Sequence, residues 1–148
     1  LGTQHQEVAT ALNNLAHLYK TQGKYAEAEP LYQEALQIDK ETIGTQHSEY
    51  AKHLNNLALL YDAQGKYTEA EPLYLEAIQI DKQTIGIQHP DYAIDLSNLG
   101  YMYYKIERYE EAKALLTEAY NIFVATLGEQ HPDTQKTKKS LEAVEAKL

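Results

Sequence analysis

Apolar residues in this chain recur with the period of a helix, not of a strand. Val8, Leu12, Leu15, Ala16 and Tyr19 fall at i, i+4, i+7, i+8 and i+11, which is one face of an amphipathic helix. Tyr25, Ala28, Leu31, Tyr32, Ala35, Leu36 and Ile38 mark a second such face. Between them, Thr21-Gln22-Gly23-Lys24 reads as a turn, with Gly23 where a helix C-terminus takes a positive φ. The second helix is predicted to stop near Ile43-Gly44, and a short loop to His47 leads on. The same two-helix pattern fits residues 50–86 and 92–128, and no segment alternates with period two. The expectation is therefore an all-α chain.

The pattern repeats at a fixed interval. Gly2, Gly44, Gly86 and Gly128 are 42 residues apart, as are His5, His47, His89 and His131, and Tyr25, Tyr67 and Tyr109. The stretches from His5 and His47 agree at about 30 of 42 positions. A period of this length is the signature of stacked supersecondary units. Small residues recur where helices must approach closely: Ala16, Ala58 and Gly100 on the first helix, and Ala28, Ala70, Ala112, Ala35, Ala77 and Ala119 on the second. Tyr19, Tyr32 and their repeats are large enough to fill the space between hairpins.

Leu12, Leu15, Ala16, Tyr19, Gly23, Tyr25, Ala28, Tyr32 and Ala35 resemble the tetratricopeptide consensus in order and spacing, three times over. The string Leu12-Asn13-Asn14-Leu15-Ala16, the Gly23-Lys24-Tyr25 turn, and the linker with Leu127-Gly128 and His131-Pro132 resemble kinesin light chain repeats, which share the longer unit. The resemblance implies a right-handed superhelical solenoid of antiparallel helix pairs, with a concave face made by the first helices. Repeats are expected at 5–46, 47–88 and 89–130, followed by a C-terminal cap helix over 131–148, as one array across 1–148. The third unit departs from the pattern, with Glu107 for the turn glycine, Ala114 for Pro30 and Pro72, and Leu116 for Tyr32. In the fourth, Lys138, Glu142 and Glu145 stand where Leu12, Ala16 and Tyr19 stood, so 133–147 reads as a solvated cap, which repeat arrays need. Leu1–His5 reads as the tail of a preceding unit, and the absence of Met at position 1 as a segment of a longer chain. The first helix, near Val8 to Tyr19, is then expected to leave an apolar face exposed.

The resemblance also implies which first-helix positions line a peptide groove: Asn13, Asn14 and His17 in the first unit, Lys52, Asn55, Asn56 and Leu59 in the second, and Ile94, Asn98, Tyr101, Tyr104 and Lys105 in the third. Asn14, Asn56 and Asn98 recur at the repeat interval. An amide carries donors and an acceptor and can hold a peptide backbone without reading its sequence, or it can satisfy a neighbouring helix instead. Tyr101 and Tyr104, with Ile94 and Leu59, offer aromatic and apolar anchors for a ligand side chain. They can equally pack on the cap helix. The basic clamp for acidic chaperone tails is not reproduced, since Asn13, His17, Ile94 and Asn98 stand at its positions and only Asn56 matches. Lys20, Lys52 and Lys105 are the groove's only bases, which argues against acidic cargo peptides too.

Charge and chemistry narrow the reading further. The net charge is −9, from 22 acids and 13 bases. Nucleic acid needs a basic face, and the nearest candidate, Lys136-Thr137-Lys138-Lys139, lies in a mixed-charge helix. Anionic membranes are disfavoured likewise, and no apolar run is long enough to span a bilayer. There are no cysteines, which excludes disulfides and thiolate metal sites and fits a cytoplasmic location. The linker histidines are one repeat apart, too far to share an ion, and His-Pro-Asp reads as a helix start. Gly23-Lys24 and Gly65-Lys66 lack the strand and spacing of a phosphate loop. No catalytic constellation, cofactor or metal site is expected. The chain reads as a scaffold for a protein or peptide ligand, or alternatively as the regulatory repeat array of a signalling protein whose catalytic domain lies elsewhere. Self-association through the open N-terminal face is a further expectation.

Overall fold

The computed structural model describes residues 2–148, with side chains from His5 onward. Among them run α1 (Gly2–Thr21), α2 (Tyr25–Thr42), α3 (Ser48–Ala63), α4 (Tyr67–Thr84), α5 (Pro90–Lys105), α6 (Tyr109–Leu127) and α7 (Pro132–Glu145), and no strand. The chain divides into two compact units, Leu1–Ile80 and Asp81–Leu148, the boundary falling at the last turn of α4.

In unit 1 the alternation of small and large residues does what its spacing implied. Ala16 of α1 and Ala28 of α2 are fully buried and let the two helices close on each other, while Tyr32 fills the space against Leu57 and Leu60 of α3. A second cluster joins Tyr50, Ala51 and Leu54 of α3 to Ala77 and Ile80 of α4, with Leu36 and Leu73 packed against it. Tyr32 and Tyr74 are completely enclosed, and burial pushes the Tyr32 hydroxyl up to about 12. Pro30 and Pro72 both lie inside continuous helices on exposed positions.

Residues 2–5 are the first turn of α1, which is four residues longer than α3 or α5. The reason is local. His47, His89 and His131 are N-caps followed by Ser48, Pro90 and Pro132, whereas His5 is followed by Gln6, a good helix former with no stop signal. The three capping histidines act through Nδ1, which accepts from the backbone N–H of Glu49, Asp91 and Asp133 at 3.0, 3.0 and 3.1 Å. This satisfies one orphan donor of each helix.

In unit 2, α5 packs on α6 and α6 on α7. Gly100 faces Leu116 so closely that an added Cβ would lie 2.9 Å from Leu116 Cγ. The branched leucine that stands where Tyr32 and Tyr74 stand is thus accommodated by removing the methyl of Ala16 and Ala58. Helix α7 buries Thr134, Thr137 and Val144 and leaves Lys138, Glu142 and Glu145 exposed.

The hairpin turns share one geometry. Lys24 N–H reaches Tyr19 C=O at 2.8 Å and Gly23 N–H reaches Lys20 C=O at 2.9 Å, the paired bonds that close a helix around a left-handed residue. Lys66 to Tyr61 and Arg108 to Tyr103 repeat the Lys24–Tyr19 bond, again at 2.8 Å. The left-handed position is Gly23 at φ +77° and Gly65 at φ +74°, but Glu107 at φ +67° in unit 2. The cation after each turn also sits over the tyrosine it closes on: Lys24 at 5.8 Å from the Tyr19 ring, Lys66 at 6.0 Å from Tyr61, and Arg108 at 4.0 Å from Tyr103.

Candidate functional site

The first helices present different surfaces in the two units. In unit 1, Asn14, His17 and Lys52 are exposed, and Asn56 and Leu59 are half-buried. Two expected groove residues are not surface residues at all. Asn13 is 7% exposed and Asn55 is 6% exposed. Each lies one residue before its surface neighbour, a rotation of roughly 100° round the helix that turns the amide inward. Asn56 Nδ2 donates to Asn13 Oδ1 at 3.0 Å, tying α3 to α1. One of the ladder amides is therefore engaged within the protein. Asp62, a further first-helix position, is also buried and accepts from the Tyr74 hydroxyl at 3.0 Å.

In unit 2, α5 carries an aromatic surface. Tyr101 is 47% exposed and stacks on half-buried Tyr104, with ring centroids 6.0 Å apart and planes at 25°. Tyr104 in turn meets Tyr109 of α6 at 5.9 Å. Lys105 Nζ lies 5.2 Å from the Tyr101 ring. Ile94 and Asn98 are half-buried on the same helix. Ser97 donates its hydroxyl to the Ile94 carbonyl at 2.9 Å. The stacked tyrosines restrict one another's side-chain freedom.

The apolar side of α1 is open, as expected. Val8, Leu15 and Leu18 are 46%, 40% and 50% exposed, while their repeat equivalents Tyr50, Leu57 and Leu60 on α3 are buried. Leu57 and Leu60 are covered by Tyr32 and its neighbours on α2.

Sequence reasoning missed the buried ionisable pairs. His53 Nδ1 is in close hydrogen-bond contact with Asp39 Oδ2, both side chains being enclosed, and Gln6 Nε2 donates to Asp39 Oδ1 at 3.2 Å. One repeat later, in unit 2, the same positions are Asp81 and Asp95, both buried, with their carboxyls near enough to perturb each other's ionisation. Burial first, and then the Asp81 carboxyl, push Asp95 up to about 10; burial also raises Asp81. The signal was available. Asp39 and Asp81 lie four residues after Ala35 and Ala77, on the apolar face of their helices. Among the described residues no three His, Cys, Asp or Glu side chains converge as a metal-binding group, and no helix is long and apolar enough to cross a membrane.

The model of the tetratricopeptide repeat matches residues 7–83 and 51–125, together most of the chain. The chain belongs to the tetratricopeptide repeat family. Solved structures agree. BtubC (BKLC) from P. vanneervenii is 29% identical, with a TM-score of 0.84 over 93% of this chain and 55% of that one. The putative kinesin light chain nearly identical TPR-like repeats of Podosopora anserina are 25% identical, with a TM-score of 0.86 over 95% of this chain and 66% of that one. This tetratricopeptide chain thus spans about half to two thirds of these relatives, and its repeats are kinesin light chain-like. The Yersinia enterocolitica type III secretion chaperone SycD, crystallised with a peptide of the translocator YopD, shares the fold at 20% identity and a TM-score of 0.69. It is covered over 92% of its length. No curated protein shows significant similarity to the chain.

Proposed function

We propose that this tetratricopeptide chain is a protein-interaction scaffold that holds a peptide or helical segment against its first helices. The observation that carries the reading is the exposed, mutually stacked Tyr101–Tyr104 pair on α5. Pre-ordered aromatics at a surface are the usual anchors of protein interfaces. In unit 1, Asn14, His17, Lys52, Asn56 and Leu59 supply a more polar contact surface of the same kind; Asn13 and Asn55 play no direct part, being buried. The peptide complex of SycD, a protein of the same fold, supports the ligand class. A net charge of −9 favours a neutral or basic ligand, through a field that salt screens.

A random-peptide display selection against the immobilised chain tests this. Enriched peptides are expected to lose about tenfold or more in affinity with Tyr101→Ala or Tyr104→Ala, the range of an aromatic interface anchor. Gln79→Ala and Lys113→Ala, exposed on second helices, should leave binding unchanged. If the second-helix variants weaken binding and the tyrosine variants do not, the assignment of the binding face is wrong.

A further inference from the structure

Positions 39 and 53 of unit 1 recur one repeat later as 81 and 95 of unit 2, buried in both cases. In unit 1 the pair is a carboxylate and an imidazole, Asp39 with His53. In unit 2 the imidazole is replaced by a second acid. Asp81 and Asp95 are 3% and 4% exposed, and neither Asp81 Oδ1 nor Asp95 Oδ2 has a donor among the described residues. Two ionised carboxylates accept hydrogen bonds only, so they cannot satisfy each other. One proton placed between them turns one oxygen into a donor and removes half of the buried charge.

The charged groups around the pair give no alternative. Asp91, on the first turn of α5, disfavours ionisation of both carboxyls, and His89 in the preceding loop favours the ionised form of Asp81 alone. The acid that α6 brings to α5, Glu118, meets the Tyr92 hydroxyl at 3.4 Å. From α7, the groups buried toward the rest of unit 2 are the uncharged Thr134 and Thr137.

We propose that Asp81 and Asp95 hold one proton between them at neutral pH, and that this shared proton latches residues 81–84, the last turn of α4, to α5. The latch makes unit 2 proton-linked. The folded unit keeps a proton that the unfolded chain, with ordinary aspartates, releases at about pH 4. A folded-state value above the unfolded one gives stability that is complete at low pH and declines as pH rises toward and through the folded value. The decline is up to about tenfold in the folding constant per pH unit.

The test follows urea unfolding of the full 148-residue chain by circular dichroism between about pH 5 and pH 9, for wild type, Asp81→Asn and Asp95→Asn. An asparagine at either place supplies the donor without the proton. The wild type is expected to lose stability relative to both variants as pH rises, by up to about tenfold in the folding constant per unit. Carboxyl-carbon NMR of aspartate-labelled wild type should show one aspartate still protonated at neutral pH. Equal pH slopes in wild type and both variants, or every aspartate ionised at neutral pH, overturns the proposal. Should either variant not fold, the wild-type NMR titration decides alone.

Discussion

In unit 1 each buried acid meets a donor: Asp39 receives His53 and Gln6, and Asp62 receives the Tyr74 hydroxyl. In unit 2 the positions equivalent to 39 and 53 hold two acids, and those equivalent to 62 and 74 hold Tyr104 and Leu116, with no acid at all. The helical frame is the same. What differs is whether a buried acid was completed by a partner, by a proton, or replaced altogether. A repeat can thus vary residue by residue only if the residue across the contact varies with it, as Gly100 does for Leu116.

Removing the partner in unit 1 should have the largest effect. His53→Ala leaves the enclosed Asp39 carboxylate to Gln6 alone and is expected to destabilise unit 1 by about 3–5 kcal/mol, the cost of breaking a buried pair from one side. The counterpart in unit 2, Asp95→Asn, supplies a donor instead of removing one and should be stabilising above neutral pH. Urea midpoints of the two variants, measured side by side, check the contrast. If both variants were equally destabilised, the two junctions would be alike after all.

The helices and their repeat were legible because apolar spacing and a 42-residue interval survive in any rendering of the sequence. The groove was legible only in part. Asn13 and Asn14 are adjacent, and the pattern did not tell which amide faces inward; burial and the Asn56 bond did. The acids at 39 and 81 were passed over because Asp is ordinarily a surface residue. Their place four residues after a buried alanine gave the contrary signal, and His53, three residues after Tyr50, gave it again. Periodicity marked Val8 and Leu15 as apolar-face positions, and the exposed face expected of the first helix is there.

A milder test of the same contrast removes one hydroxyl. Tyr74→Phe takes a donor from buried Asp62 and should cost about 1–3 kcal/mol, the range for a buried acceptor losing a partner. Leu116→Met, at the equivalent place in unit 2, changes no polar contact and should cost less than about 1.5 kcal/mol. Thermal unfolding of both variants decides it.

The turn offers an improvement where unit 1 is already optimal. Glu107 holds φ +67° with a Cβ, in the place of Gly23 and Gly65. The left-handed conformation costs a non-glycine residue roughly 1–2 kcal/mol, offset partly by glycine's greater unfolded-state entropy. Glu107→Gly should therefore stabilise unit 2 by about 0.5–1 kcal/mol, and Gly65→Glu should destabilise unit 1 by a similar amount. Denaturant midpoints at constant m-value report both changes.

The smallest effect is expected where two terms nearly cancel. Gly100→Ala gains about 1 kcal/mol of helix propensity but places a methyl 2.9 Å from Leu116 Cγ and 3.1 Å from its Cδ2. The contacted atoms include a branch point of a side chain that is itself 1% exposed, so they cannot simply swing aside. Overpacking of this kind costs about 1–3 kcal/mol; a single methyl belongs in the lower half of that range, leaving a net loss of about 1 kcal/mol or less. The sign of the change depends on Leu116 and can be tested through it. In a Leu116→Ala background the clash is gone, and Gly100→Ala should become stabilising by about 1 kcal/mol. A double-mutant cycle by urea unfolding isolates the coupling between the two positions. Additive effects would mean that glycine at 100 and leucine at 116 were not chosen together, and that the third hairpin tolerates its departures independently.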